Sequence, residues 1–142
     1  GNYKVLFGTN QNELIEAAGG LKEGCEKVIS GGPMMGFAMY TTDTPITKTS
    51  SSILCMSKDE VSACEPTACI NCGRCVDACP SRIIPSRLAD FAERHDEEAF
   101  LKFNGLECVE CGSCSYVCPA KRQLKQAIGS MRKTALANKK KK

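Results

Sequence analysis

The chain has no tryptophan, one histidine, five phenylalanines and three tyrosines. It also lacks any apolar run near the ~18 residues that a membrane-crossing helix needs. The longest suggestive stretch, Met34 to Tyr40, is far too short, so no transmembrane segment is expected. The first thirty residues contain no apolar core behind a basic start, so a secretory leader is not expected there and a reducing compartment is the natural expectation. Few aromatics and no interleaving of basic with aromatic residues remove nucleic acid as an expected partner. No Gly-rich phosphate loop follows a strand: Gly31-Gly32-Pro33-Met34-Met35-Gly36 is neither G-x-G-x-x-G nor a P-loop, so nicotinamide binding is not assigned to these residues. Finally, residues 121–142 carry nine Lys and Arg and no acidic residue, whereas residues 1–120 carry ten basic against sixteen acidic. The body is acidic and the end basic, and the terminal Lys139 to Lys142 run reads as solvated and disordered.

What the chain has in abundance is cysteine, eleven in 142 residues. Eight fall into two identical runs, Cys69-x2-Cys72-x2-Cys75-x3-Cys79-Pro80 and Cys108-x2-Cys111-x2-Cys114-x3-Cys118-Pro119. This is the spacing that holds 4Fe-4S clusters. A looping segment presents three thiolates two residues apart, and in two-cluster proteins the fourth crosses to the other cluster. One cluster is therefore assigned to Cys69, Cys72, Cys75 and Cys118, and the other to Cys108, Cys111, Cys114 and Cys79. Zinc and disulfides are the competing readings. Zinc knuckles need neither a third cysteine two residues on nor a fourth followed by proline, and disulfide scaffolds belong to short secreted chains.

Proline after each final cysteine fixes its own φ and restricts its predecessor, turning the chain away from the site. Gly73 and Gly112, between the second and third thiols, allow close backbone approach and positive φ. Cys25, Cys55 and Cys64 lie outside the pattern and are read as plain thiols. His95 is read as a surface or capping residue, and Phe91, Phe100, Leu101 and Phe103 as core.

The remaining pattern describes an α+β chain of two small units, with the boundary placed near residue 58. Alternation at Tyr3, Val5 and Phe7 predicts a strand. A helix over Leu14 to Leu21 follows, with Asn12 as N-cap and Gly19-Gly20 ending it. Lys27 to Ser30, Thr44 to Thr47 and Ser52 to Met56 predict further short strands, Pro45 confining the second to an edge. Ser57 to Glu60 resembles a helix start. Between the cysteine runs, Ser86 is expected to cap one helix and Asp96-Glu97-Glu98 to open another that Asn104-Gly105 closes. Leu124, Ala127, Ile128 and Met131 predict a basic amphipathic helix over 120–135. The long helical connection favours a helical two-cluster domain over a compact β-rich ferredoxin.

A family resemblance rests on Gly8-Thr9, Glu13 to Gly20, Gly31 to Gly36, Pro45 to Lys48, Cys72 to Pro80 and Cys111 to Lys121. Over residues 2 to about 128 the chain closely resembles the C subunit of the Rnf electron-transport complex. The resemblance implies a soluble-ligand-binding β-grasp unit at 1–58 and a 4Fe-4S ferredoxin domain at 59–128. Residues 129–142 are then a basic, disordered tail. It also implies that FMN and NADH bind only a preceding domain of the parent protein, so the chain is expected to be an excised C-terminal fragment. Partners implied are that flavin and NADH domain and the other Rnf subunits, with peripheral association at the cytoplasmic face of the cell membrane. The activity implied is single-electron relay within a ferredoxin:NAD oxidoreductase coupled to ion transport, with no catalytic residue in this chain. Two alternatives stand beside it: a cobalamin reductase of a bacterial microcompartment, which is similar in its paired cluster motifs, and a docking module stapled by structural clusters. Within the β-grasp unit, residues 31–36 are read as a turn that packs two methionines against the neighbouring domain, in preference to an anion-binding loop.

Overall fold

A computed structural model describes residues 1–140, and the chain divides into two compact units, Gly1–Ala63 and Cys64–Lys142. The architecture is α+β, with one three-stranded sheet and otherwise helical or irregular structure among the described residues.

In the first unit, helix α1 (Gln11–Ala17) starts at Asn10, whose side-chain oxygen accepts the Asn12 N–H at 2.9 Å. The cap is thus two residues earlier than the sequence suggests. Gly19 and Gly20, both at positive φ, follow the C-cap Ala18 and end the helix as expected. Strand β1 (Lys27–Ser30) is central and pairs antiparallel with β2 (Phe37–Met39) and β3 (Ile53–Met56). Ser30 faces Phe37 on one side and Ile53 on the other, which sets the register of the whole sheet.

The link from β1 to β2 is the Gly31–Gly36 turn, closed by Gly36 N–H to Gly32 C=O at 2.8 Å. A Cβ at Gly36 would come within 3.0 Å of the Gly32 carbonyl, the Ser30 carbonyl and Ile29, so only glycine fits. The turn is therefore built by backbone crowding. Within the first unit Met34 and Met35 remain exposed, at 44% and 63%.

Two segments of this unit expected as strands do not form them. Residues 1–9 are irregular, with Leu6 and Phe7 exposed. Thr44 to Thr47 contributes only an isolated bridge between Asn10 and Pro45, flanked by Gln11 N–H to Thr44 C=O at 2.9 Å and Ile46 N–H to Thr9 C=O at 2.8 Å. Nor does Ser57 to Glu60 start a helix, because Asp59 instead caps a turn through Val61 and Ser62 N–H. A small core remains, formed by Ile15, Ile29 and Ile46 with buried Gln11 and Ser30.

In the second unit, the one-turn helices α2 (Arg74–Asp77) and α5 (Ser113–Tyr116) carry the cysteine runs. Between them lie α3 (Pro85–Glu93), α4 (Glu97–Lys102) and a 3-10 turn at Gly105–Glu107. Helix α3 starts with Pro85 at its first position behind Ile84, so the ring, not Ser86, sets the start. Helix α4 is capped by Asp96, which accepts the Ala99 N–H at 3.0 Å, and Asn104 follows it at φ 59°. Helix α6 (Leu124–Lys140) packs on α3 around Leu88, Phe100, Leu124, Ile128 and Met131. Phe91 stacks beside this core on Phe103, with ring centroids 5.1 Å apart.

Helix α6 continues past residue 135, so the segment expected to be a disordered tail is helical through Lys140. Ala135 is buried and Asn138 donates to Glu97 of α4 at 2.7 Å, anchoring turns whose alanines and leucine favour helix in any case. The end of the lysine run, Lys141 and Lys142, lies outside the described residues.

Candidate functional site

The two cysteine runs fold as copies of one another. Each begins extended, places a residue at positive φ two positions after its first cysteine (Asn71 at 55°, Glu110 at 54°), and then a left-handed glycine (Gly73 at 77°, Gly112 at 83°). The glycine caps the single-turn helix that carries the third cysteine, Cys75 in α2 and Cys114 in α5. Each fourth cysteine closes the turn, Cys79 N–H bonding Val76 C=O at 3.1 Å and Cys118 N–H bonding Ser115 C=O at 3.3 Å. A third positive φ follows at Arg82 (52°) and Lys121 (53°). Equal spacing in sequence has produced equal backbone geometry, as steric restriction of φ and ψ demands.

Two cavities lie against these runs. One is lined by Cys79, Cys108, Cys111 and Cys114, with Ile83, Pro85 and Ile128 forming apolar walls. The other is lined by Cys69, Cys72, Cys75 and Cys118, with Ile70, Asn71, Ser86 and Leu124. Each therefore gathers three thiols of one run and the fourth of the other. The thiols surround a space, and among the described residues no three His, Cys, Asp or Glu side chains converge to hold a metal ion. Tetrahedral zinc requires four sulfurs about 2.3 Å from one point, whereas a cube of iron and sulfide holds its ligands apart. Two sets of four thiols, each around its own cavity, suit polynuclear clusters.

The cavities differ in environment. Cys114 is buried, and Cys79, Cys108 and Cys111 are half-buried, whereas Cys69 and Cys72 are exposed. Burial pushes the Cys114 thiol up to about 11, with the neighbouring Cys108 and Cys111 adding to the effect. Burial raises Cys108 too, against the Glu110 N–H that donates to its Sγ at 3.4 Å. Cys111 is lowered, first by the Ser113 hydroxyl 3.5 Å from its sulfur.

Charged residues also border both spaces, and no local motif singles them out. Arg122 lines the open cavity, and its guanidinium bonds Asp90 and both carboxylate oxygens of Glu93 at 2.9 Å each. Lys125 and Glu110 line the enclosed one, Glu110 being held by Arg132 at 3.2 Å. Their partners come from other elements, and only the position of Arg122 just beyond the Cys118-Pro119 corner hints at a role.

The other cysteines stand apart. All eleven are free thiols; Cys64 is exposed and lines neither cavity. Cys25 Sγ donates to Lys27 C=O at 3.7 Å, and Cys55 on β3 is exposed. His95 sits exposed in the α3–α4 turn at φ 56°, away from both thiol groups.

Residues 68–122 match the 4Fe-4S dicluster domain family. Across 128 residues, 89% of its length, the chain is 49% identical to the C subunit of the proton-translocating ferredoxin:NAD(+) oxidoreductase complex of Clostridium ljungdahlii. Across 97% of its length it is 40% identical to the C subunit of the Na(+)-translocating ferredoxin:NAD(+) oxidoreductase complex of Acetobacterium woodii. It is 46% identical over 87% of its length to the C subunit of the ion-translocating oxidoreductase complex of Methanosarcina acetivorans. The aligned regions make up 28%, 31% and 28% of those proteins, so the chain spans under a third of their length.

Proposed function

Over nearly nine-tenths of its length this chain belongs with the C subunits of ion-translocating oxidoreductase (Rnf) complexes, and from that premise we propose that it is an electron-relay segment of such a complex. Cys69, Cys72, Cys75 and Cys118 hold one 4Fe-4S cluster, and Cys108, Cys111, Cys114 and Cys79 hold the other. The observation that carries this reading is the grouping of thiols around the two cavities, three from one run and one from the other in each case. When bound, such clusters accept and release single electrons without bond making.

The chain's own residues supply the surroundings. Gly73 and Gly112 set the left-handed entry to the cysteine-bearing turns, and the Glu110 N–H reaches the Cys108 sulfur. Donors of this kind stabilise anionic sulfur. Ile83, Pro85 and Ile128 give the enclosed cavity apolar walls. No side chain is assigned a proton-transfer or nucleophilic role.

In this reading residues 1–58 form a β-grasp unit of the soluble-ligand-binding type and 59–128 the two-cluster domain. The three-stranded antiparallel sheet with one helix supports the first assignment. Flavin and NADH belong to other parts of the parent protein, and electrons pass between those parts, this chain and the remaining subunits during ferredoxin:NAD oxidoreduction coupled to ion transport. Association with the cytoplasmic face of the membrane is peripheral and mediated by the complex; among the described residues no helix is long and apolar enough to cross a membrane.

The test is anaerobic reconstitution followed by iron and sulfide counting and an EPR-monitored redox titration. About eight iron and eight sulfide per chain, both centres reversibly reducible in the range reached by ferredoxin or NADH, is the expected result. Colourless protein holding zinc would overturn the cluster assignment, and redox-silent clusters would favour a structural staple.

A further inference from the structure

We infer that Arg122 makes the open cysteine site the higher-potential member of the pair, so that an electron entering the chain comes to rest there at equilibrium. This rests on the cluster grouping proposed above.

Arg122 lines the cavity of Cys69, Cys72, Cys75 and Cys118, and its side chain is only 12% exposed. Its NH2 group is held at 2.9 Å by Asp90 and Glu93, spaced three apart on α3, which fixes the cation in place. These acceptors face water more than the guanidinium does, at 38% and 56% side-chain exposure. Solvent screens their negative charge more strongly than it screens the Arg122 cation, and Arg122 lines the cavity whereas Asp90 and Glu93 do not.

One-electron reduction, with the electron supplied by a one-electron donor that is itself oxidised, adds one negative charge to the group held by the four thiols. No bond forms or breaks and no proton moves. A fixed cation at the cavity wall favours the reduced state. The enclosed site works in the opposite direction. Its thiols are more buried, its walls include Ile83, Pro85 and Ile128, and the Glu110 carboxylate lines it. Arg132 compensates Glu110, and Lys125 is the one cation in that lining. Lys125 has no ion-pair partner fixing it among the described residues, so its flexible ammonium is the less confined charge. Burial in apolar surroundings disfavours the extra charge of the reduced state. The two effects separate the sites in one direction.

The test uses the full chain with both clusters filled, titrated potentiometrically with EPR detection. Arg122→Gln should lower the higher of the two midpoints while leaving the lower in place. The expected change is about tenfold in the one-electron equilibrium, which is 59 mV for n = 1. Asp90→Asn combined with Glu93→Gln should raise that same midpoint, and Arg122→Lys, which keeps the charge, should preserve it more closely than Arg122→Gln does. Unchanged midpoints, movement of the lower one alone, or equal movement of both overturns the inference. If Arg122→Gln does not load, the Asp90 and Glu93 pair decides: a raised higher midpoint supports the inference and an unmoved one overturns it. Wild-type chain that fails to bind about eight iron contradicts the grouping itself, and the inference falls with it.

Discussion

The Thr67 N–H donates to the Ala120 carbonyl at 2.9 Å, joining the approach to the first cysteine run with the exit from the second. Cys69 lies two residues after the donor and Cys118 two before the acceptor, so this backbone bond holds together two thiols of the open cavity that are remote in sequence.

The first prediction follows from that juxtaposition. Cys118→Ser should remove the cluster signal of the Cys69, Cys72 and Cys75 site and spare the other, and Cys79→Ser should do the reverse. EPR of each reconstituted variant, with iron counting, checks this. Loss confined to the run that carries the replaced cysteine would contradict the crossed grouping.

Gly105→Ala should destabilise the second unit by about 1–3 kcal/mol, as overpacking of a filled core does. A Cβ at Gly105 would come within 3.0 Å of three ring carbons of Phe100, which is fully buried. Chemical denaturation monitored by circular dichroism gives the difference. Gly20→Ala makes a useful contrast in the first unit, because nothing lies within 4 Å of its Cβ and only the positive φ resists the change. Its cost should be about 1–2 kcal/mol and arise from the backbone alone.

Ile128→Ala removes a fully buried side chain that also walls the enclosed cavity. A loss of about 2–5 kcal/mol is expected, since the α3–α6 interface collapses only partly into the space left. The same variant should bleach faster in air, at the signal of the Cys108, Cys111 and Cys114 site, because water and oxygen gain a route. Comparing the rates at which the visible sulfide-to-iron absorption fades in variant and wild type is a direct check.

Asp59 links stability of the first unit to pH. Its carboxylate takes the Lys27 ammonium at 2.7 Å and accepts the Val61 and Ser62 N–H groups, which together hold its pKa below the ordinary 3.8 despite the opposing effect of burial. A depressed folded value means the contribution is complete above the ordinary carboxylate range and disappears as pH falls through the folded value. Thermal melts taken from neutral pH into the acid range below 3.8 should show this loss in the wild type. Asp59→Asn should lower stability at neutral pH and flatten the acid limb.

The cysteine runs were legible because ligand spacing is a local code: it is written in successive residues and enforced by backbone geometry that glycine and proline set on the spot. The caps at Asp96 and Asn104 were legible for the same reason. Tyr3, Val5 and Phe7 misled because alternation indicates a strand only if a neighbour offers a ladder, and the Thr44–Ile46 segment bonds this stretch only from Gly8 onward. Strand β2 was hidden inside Met34 to Tyr40, an apolar run too short and too uniform to show a period. The four lysines at the end suggested a solvated tail, yet Ala135 burial and the Asn138–Glu97 bond carry the helix to Lys140. Arg122 was invisible as a site residue because its surroundings depend on α3 meeting α6, a contact that no stretch of sequence records.

The matching triplets of positive φ, at Asn71, Gly73 and Arg82 and again at Glu110, Gly112 and Lys121, describe one half-motif used twice. Because each half lends its last cysteine to the cavity of the other, neither is a complete container. A chain cut anywhere between Pro80 and Glu107 would leave one three-legged vessel in each piece, not one whole vessel and one lost.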